Sequence, residues 1–349
     1  RVFDVQIFDS SPDSLGHVRG WGTIMVVGMR LGGHQISARE ITAGTPWETS
    51  IDDRIFTSAY MVFDISDPEH PPRLLGELTF QPAGSADMGY TTAMPAVVPI
   101  KSNENDSDWF LILGSGPTHA TGVSTQNAHI SVFPLADLDE GQAFRIPATA
   151  AFSHASAGSY DLTNSPNGFI SGITVADYHL DNRYKADVVY FGTIEGTWED
   201  WDGRVYRWIT NQDYPQSWNN PAVMFNPHRP VTAAPTIGFD GDFHWVYFGT
   251  GRFLDVKDKS DAGSNAQDYF FGIKEPKDVY TGDFTWAPVN NNVSLSTPPP
   301  ANDAGDRTLL RVDQIAVAEA LSADTSSLGC RDDTICLPDD VNTFKDLVT

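Results

Sequence analysis

Apolar positions along this chain fall in short, nearly continuous runs, each closed by glycine and a polar turn. Four runs stand out: TIMVVGMRLGG (Thr23–Gly33), WFLILGSG (Trp109–Gly116), DVVYFGTIEG (Asp187–Gly196) and HWVYFGTGRF (His244–Phe253). A second strand-like run follows each one: AYMVFDIS, HISVFPLA, GRVYRWIT and DYFFGIKE. Two are preceded by a Pro-bearing lead-in strand, TTAMPAVVPI and TAAPTIGFD. Short runs rich in Val, Ile, Tyr, Phe and Trp between turn residues predict strands, and unbroken apolarity predicts strands buried on both faces. Repetition of this Gly-punctuated unit predicts an all-β fold of the β-propeller type. The repeats lie roughly 60 to 90 residues apart, whereas a blade usually needs ~40–50. Either some blades carry long insertions or weaker blades lie between the readable ones.

The pattern assigns residues 1–286 to propeller blades. PEHPPR, SNENDSD, HASAGSYDLTNSPNG and NQDYPQSWNNPA read as linking loops. The pattern stops in residues 287–349. VNNNVSLSTPPPANDAGD is a polar, Pro-rich spacer. Asp306–Asp324 then places Leu309, Leu310, Val312, Ile315, Ala316 and Leu321 at helical spacing, which predicts one helix packed against the domain. The acidic tail Cys330–Thr349 reads as a loop.

Composition narrows the picture. The 29 Gly and 23 Pro suit a turn-rich β protein. With 22 Lys+Arg against 46 Asp+Glu, the net charge of −24 repels phosphate backbones and anionic headgroups, which argues against nucleic acid as a partner. No apolar run approaches the ~20 residues of a membrane-spanning helix. The chain begins at Arg1 without Met and reads as a piece of a longer protein. Its two cysteines, Cys330 and Cys336 in CRDDTIC, lack a second Cys or His pair for zinc; a local disulfide in an oxidising compartment is expected.

The sharpest chemical signal is VADYHLDNRYKADVVYFG, where Asp177, His179 and Asp181 alternate and Asp187 precedes an apolar strand. Alternating acids in a tight loop converge on a hard cation such as calcium, which takes six to eight oxygens. Asp177 and Asp181 match the first and fifth positions of a DxDxDGxxD loop. Asp187 matches the ninth if Arg183 and Tyr184 are inserted. His179 stands where a carboxylate is wanted and Asn182 where glycine is, so His179 is a doubtful ligand. Two readings stay open: a calcium site, with a dissociation constant on the order of 10⁻⁴–10⁻³ M as in extracellular modules, or a solvated acidic loop descended from one. HExxH, GxSxG and P-loop motifs are absent from the sequence. Glu199, Asp200 and Asp202 in TWEDWDG have the residue types of a glycosidase pair but suit a surface loop. Trp198, Trp201, Tyr206 and Trp208 could stack on sugars, but alternation in RVYRW suits blade core. GTGRF reads as a plain turn.

These pieces, taken in order, resemble the C-terminal propeller of the PilY family of type IV pilus tip-associated biogenesis and adhesion proteins. The matching segments are GWGTIMVVGMRLGG, AYMVFDISDP, GYTTAMPAVV with LILGSG, VADYHLDNRYKADVVYFGTIEG with GRVYRW, and AAPTIGFDGDFHWVYFGTGRFL with YFFGIKE, covering about Gly20 to Glu275. The resemblance implies a seven-bladed propeller, here incomplete: the family's closing GWY-containing strand and earliest blades are not found. It implies a secreted, non-catalytic module at the pilus tip or outer membrane. Such a module acts in pilus assembly, retraction control and attachment, with pilins or minor pilins and a host or abiotic surface as partners. It further implies calcium modulation through Asp177, Asp181 and Asp187. The competing expectations are a propeller enzyme, such as a quinoprotein dehydrogenase or glycosidase, and a purely structural extracellular domain.

Overall fold

The computed structural model describes residues 1–9, 16–33, 36–41, 50–80, 88–103, 106–146, 151–152, 156–179, 185–197, 200–241, 243–259, 268–277, 283–286 and 309–312. In chain order the strands are β1 (Val2–Gln6), β2 (Trp21–Gly28), β3 (Ile36–Ile41), β4 (Ser50–Phe56), β5 (Tyr60–Asp64), β6 (Arg73–Phe80) and β7 (Ala96–Asn103). There follow β8 (Asp106–Gly114), β9 (Ala128–Pro134), β10 (Gln142–Ile146), β11 (Gly158–Leu162), β12 (Gly168–Ala176), β13 (Val188–Thr197) and β14 (Asp200–Asp202). The last are β15 (Val205–Ile209), β16 (Ala222–Phe225), β17 (Thr236–Phe239), β18 (His244–Gly249), β19 (Phe270–Lys274) and β20 (Leu309–Val312).

These strands build four successive sheets, ordered β1-β2-β5-β6-β10, β11-β9-β8-β7, β12-β13-β15-β16 with β14 on β13, and β17-β18-β19-β20. Neighbours are antiparallel except β10, which returns from the second sheet to lie parallel to β6. A separate β3–β4 hairpin is inserted between β2 and β5. This insertion accounts for part of the distance between the first two glycine-ended runs. The fold is all-β, as expected.

The unbroken apolar runs have a direct structural cause. Successive side chains of a strand point to opposite faces. On β8, Trp109, Leu111 and Leu113 join a core shared with Ile24, Val26 and Tyr60 of the first sheet. Phe110 and Ile112 join a second core with Ile170, Val189 and Phe191 of the third. On β13, Val189 and Phe191 face that second core, while Val188 and Tyr190 face a third, with Val246, Phe248, Phe271 and Ile273 of the fourth sheet. The second and third sheets are thus apolar on both faces.

The glycines mark where one sheet's backbone crosses the next. A Cβ at Gly28 would lie 2.6 Å from the carbonyl oxygen of Thr91, and one at Gly192 would lie 2.6 Å from Cγ1 of Val231. At Gly114 it would overlap the side chain of Ile170. Short bridges reinforce these crossings, with Arg30 on Thr91, Met94 on Gly172 and Val231 on Gly251.

Three expectations change. Leu309–Val312, read as the start of a helix, is β20, paired with β19 in antiparallel register. The reason is the free ladder edge of β19: four residues can pair there at once, whereas a first helical turn is costly to nucleate. The rest of that predicted helix and the Cys330–Cys336 disulfide lie outside the described residues. SNENDSD is largely strand, since β7 and β8 run on to pair Lys101 with Ser107 and Asn103 with Asp106. HASAGSYDLTNSPNG contains the edge strand β11, whose polar Ser159 meets Ser131 at 2.7 Å instead of packing in an apolar run.

The crossings predict opposite effects for one substitution. Gly114→Ala is expected to destabilise by about 1–3 kcal/mol through overpacking against fully buried Ile170. A methyl at Gly249, which ends the fourth repeat, would find its nearest neighbours 3.9 Å away on Phe270 and Tyr269. Gly249→Ala should stay within about 0.5 kcal/mol of wild type. Urea midpoints compare the two.

Candidate functional site

The loop singled out in the sequence runs from the end of β12 to the start of β13. The two strands are adjacent and antiparallel, which brings Asp187 back beside the residues that leave β12. The Asp187 amide donates to the carbonyl of Ala176 at 2.8 Å. Its buried carboxylate collects donors on both oxygens. Oδ2 accepts from the amides of Tyr178 at 2.5 Å and His179 at 3.2 Å. Oδ1 lies 2.6 Å from Nδ1 of His179 and accepts from Nε2 of Gln212 at 2.6 Å. Asp177 is half-buried just beyond β12, and Asp181 lies outside the described residues.

In this arrangement both oxygens of Asp187 are occupied by groups of the fold. Two backbone N–H groups aimed at Oδ2 and the Gln212 amide aimed at Oδ1 satisfy the carboxylate and present positive hydrogens toward it. Among the described residues, no group of three His, Cys, Asp or Glu side chains gathers to hold a metal. Gln212 is also a donor to this carboxylate, although it stands in no motif of the sequence and 25 residues further along the chain.

Asp187 instead anchors the backbone from which Tyr178 turns inward. The Tyr178 ring lies 4.8 Å from Phe284 and 4.2 Å from His244, and Phe284 stacks on Trp286 at 4.9 Å. Burial lowers the His244 imidazole below its usual range, and the nearby Lys277 ammonium adds to the effect. Below the ring, the Tyr178 hydroxyl donates to that of Tyr190 at 3.1 Å, and Tyr190 donates to Oε1 of Glu275 at 2.5 Å. Oε2 of Glu275 accepts from Nη1 of Arg207 at 2.6 Å, and Nη2 of Arg207 donates to the carbonyl of Trp286 at 2.6 Å. Glu275 is fully buried and Arg207 nearly so. Two sheets thus meet here, the third through β12, β13 and β15 and the fourth through the end of β19.

Two similar networks lie elsewhere. His17 and Ser66 hold Asp64, with Arg73 at 3.2 Å. Burial alone would raise the Asp64 carboxyl, but these hydrogen bonds and His17 bring it below its ordinary value. Glu195 accepts from Ser165 at 2.7 Å, from Thr193 at 2.5 Å and from Arg204. Tyr206 and Trp208 are buried in the core between sheets. Asp200 is exposed and Asp202 half-exposed, in a short hairpin, while Glu199 and Trp198 lie outside the described residues. No helix among the described residues is long and apolar enough to cross a membrane.

No family model, curated protein or solved structure matches the chain.

This geometry has two measurable consequences. Removing one partner of a buried ion pair leaves the other uncompensated, so Glu275→Leu alone should cost about 3–5 kcal/mol. Arg207→Met added to it should recover more than half, because an apolar pair replaces the ionic one. Burial pushes the Glu275 carboxyl up, and Arg207 and the hydrogen bonds from Tyr190 and Arg207 offset this only in part. The folded state therefore keeps this proton to higher pH than the unfolded chain does. The group's contribution is full below the unfolded value and is lost as pH rises through the folded one. The double variant's deficit should accordingly shrink as urea midpoints are taken from acid to neutral pH. Second, the melting midpoint of the wild type should be the same in millimolar calcium and in chelator. A calcium-dependent rise that Asp181→Ala abolishes would reinstate the metal reading.

Proposed function

We propose that this chain is a non-catalytic, extracellular propeller module of a type IV pilus tip protein, acting in pilus assembly, retraction control and surface attachment. The observation that carries the reading is the repeated architecture. Four successive sheets pack in chain order, and the second strand of each of the first three carries a glycine crossed by the following segment. Successive antiparallel sheets packed face to face support reading them as blades. The fourth sheet carries the same glycine, Gly249, in the same place. The ordered segments from Gly20 to Glu275 that resemble the PilY family supply the functional part of the proposal.

The buried carboxylates support a non-catalytic role. Asp187, Glu195 and Glu275 each spend their oxygens on fixed donors of the fold. A general acid or base needs a carboxyl that can reach a substrate proton. The filled carboxylate of Asp187 favours a structural loop over a calcium-modulated one, so calcium is not part of the proposal.

The test is genetic. Deleting this segment in the cell that makes the protein should abolish surface pili or attachment, and the intact chain should restore them. Unchanged piliation, retraction and attachment would overturn the proposal. A visible absorption band from a quinone in the purified protein would favour the propeller enzyme instead.

A further inference from the structure

GTGRF, a plain turn by sequence, holds an arginine that reaches three sheets. It leaves β18 of the fourth sheet. Its root is fixed by the Gly251 amide, which donates to the carbonyl of Pro230 at 2.8 Å. Arg252 then extends sideways. Nη2 donates to the carbonyls of Thr121 at 2.7 Å and Gly122 at 3.3 Å, in the loop that follows β8 of the second sheet. The guanidinium lies 3.9 Å over the ring of Trp201, in the β13–β14 hairpin of the third sheet. Nη1 pairs with Asp258 of its own loop, and both side chains are 4% exposed. Asp258 in turn caps that loop, accepting from the amides of Leu254 at 2.7 Å and Asp255 at 2.8 Å.

The receiving loop is shaped for this contact. Gly122 has φ +77°, and a Cβ there would come within 2.5 Å of Nη2 of Arg252. Glycine supplies both the left-handed backbone and the room for a planar group. A guanidinium suits the junction because its fork can serve a carboxylate, carbonyls and an aromatic face at once; an ammonium is a point charge.

We infer that Arg252 is a strap that joins the loops of the second, third and fourth sheets into one cooperative unit. The second and fourth sheets are not consecutive, so their loops are coupled across the third through this side chain. Thr121–Gly122, the strand β14 at Trp201 and residues 251–258 are thereby held as one platform, from which Phe253 and Val256 project into solvent.

Hydrogen exchange of the whole chain tests this, comparing wild type with Arg252→Met and with Gly122→Ala. Three reporters are the amides of Gly122, bonded to His119 at 2.9 Å, of Gly203, bonded to Asp202 at 2.8 Å, and of Asp255. Loss of hydrogen bonds to a charged group should speed exchange on the order of tenfold or more at all three in Arg252→Met, with β8 and β18 unchanged. Gly122→Ala keeps Arg252 but blocks its seat, and should speed exchange at Gly203 although the atoms nearest the added methyl belong to Arg252 and Leu254. If only Asp255 changes in Arg252→Met, or if Gly203 is unaffected in Gly122→Ala, the loops are independent and the inference fails. Should Arg252→Met not fold, Gly203 in Gly122→Ala decides alone.

Discussion

The close crossing of one sheet over the glycine in the preceding sheet's second strand is the constraint on which the rest of this fold depends. At Gly28 and Gly192 the approaching atom belongs to a segment leading into the next sheet, Thr91 or Val231. A side chain there would hold the sheets apart along their whole faces. With glycine the faces close, and closure buries both sides of β8 and β13. Burial on both sides then demands apolar residues at every position, not at alternate ones. It also demands that each strand meet its backbone hydrogen bonds within its own sheet, because no water reaches the interior to meet them. Antiparallel neighbours joined by turns meet that demand with short connections.

Sheets that close on one another in this way create a second problem at their borders. Some carbonyls near these borders are met by side chains and not by a neighbouring strand. Arginine side chains collect them. Arg207 donates to the carbonyl of Trp286, Arg252 to that of Thr121, and Arg1 to those of Pro95 and Ile173 at 3.0 and 2.9 Å. Each contact joins segments far apart in the chain. Guanidinium has donors to spare after pairing with one carboxylate, and its weak hydration lowers the cost of burial. The buried acids Glu275 and Asp258 are the counter-charges that let Arg207 and Arg252 sit inside. Whether such pairs add net stability over apolar packing is a separate matter; their geometric role is to fix which loop meets which.

Much of the fold was legible because its causes are local. VVYF announces a strand buried on two faces, whereas in WVYF only Val246 and Phe248 join a core and Tyr247 is half-buried. RVYRW placed Tyr206 and Trp208 in the core by alternation alone. What was not legible depends on partners distant in sequence. LLRV has equal claim to a helical turn or a strand, and the free edge of β19 decides between them. GSYDL is too polar to read as a strand, but an edge position with a serine pair tolerates it. Arg207 and Glu275 stand 68 residues apart, and nothing near either one names the other.

The acidic loop shows the limit of residue type as evidence. Asp177, His179, Asp181 and Asp187 have the spacing of ligands, and spacing reports which side chains can converge. It does not report which way hydrogens point. A carboxylate that faces carbonyls and other carboxylates requires a cation. The same carboxylate facing amide N–H groups already has hydrogen-bond donors, and its place in the sequence is unchanged. At Asp187 the amides of Tyr178 and His179 point inward because the chain turns directly after β12, with the Asp187 amide itself tied to Ala176. That turn swings Tyr178 into the aromatic stack above Glu275. One acid thus positions the ring that caps the buried ionic network, which makes Asp187 the joint between the loop and the border of the third and fourth sheets.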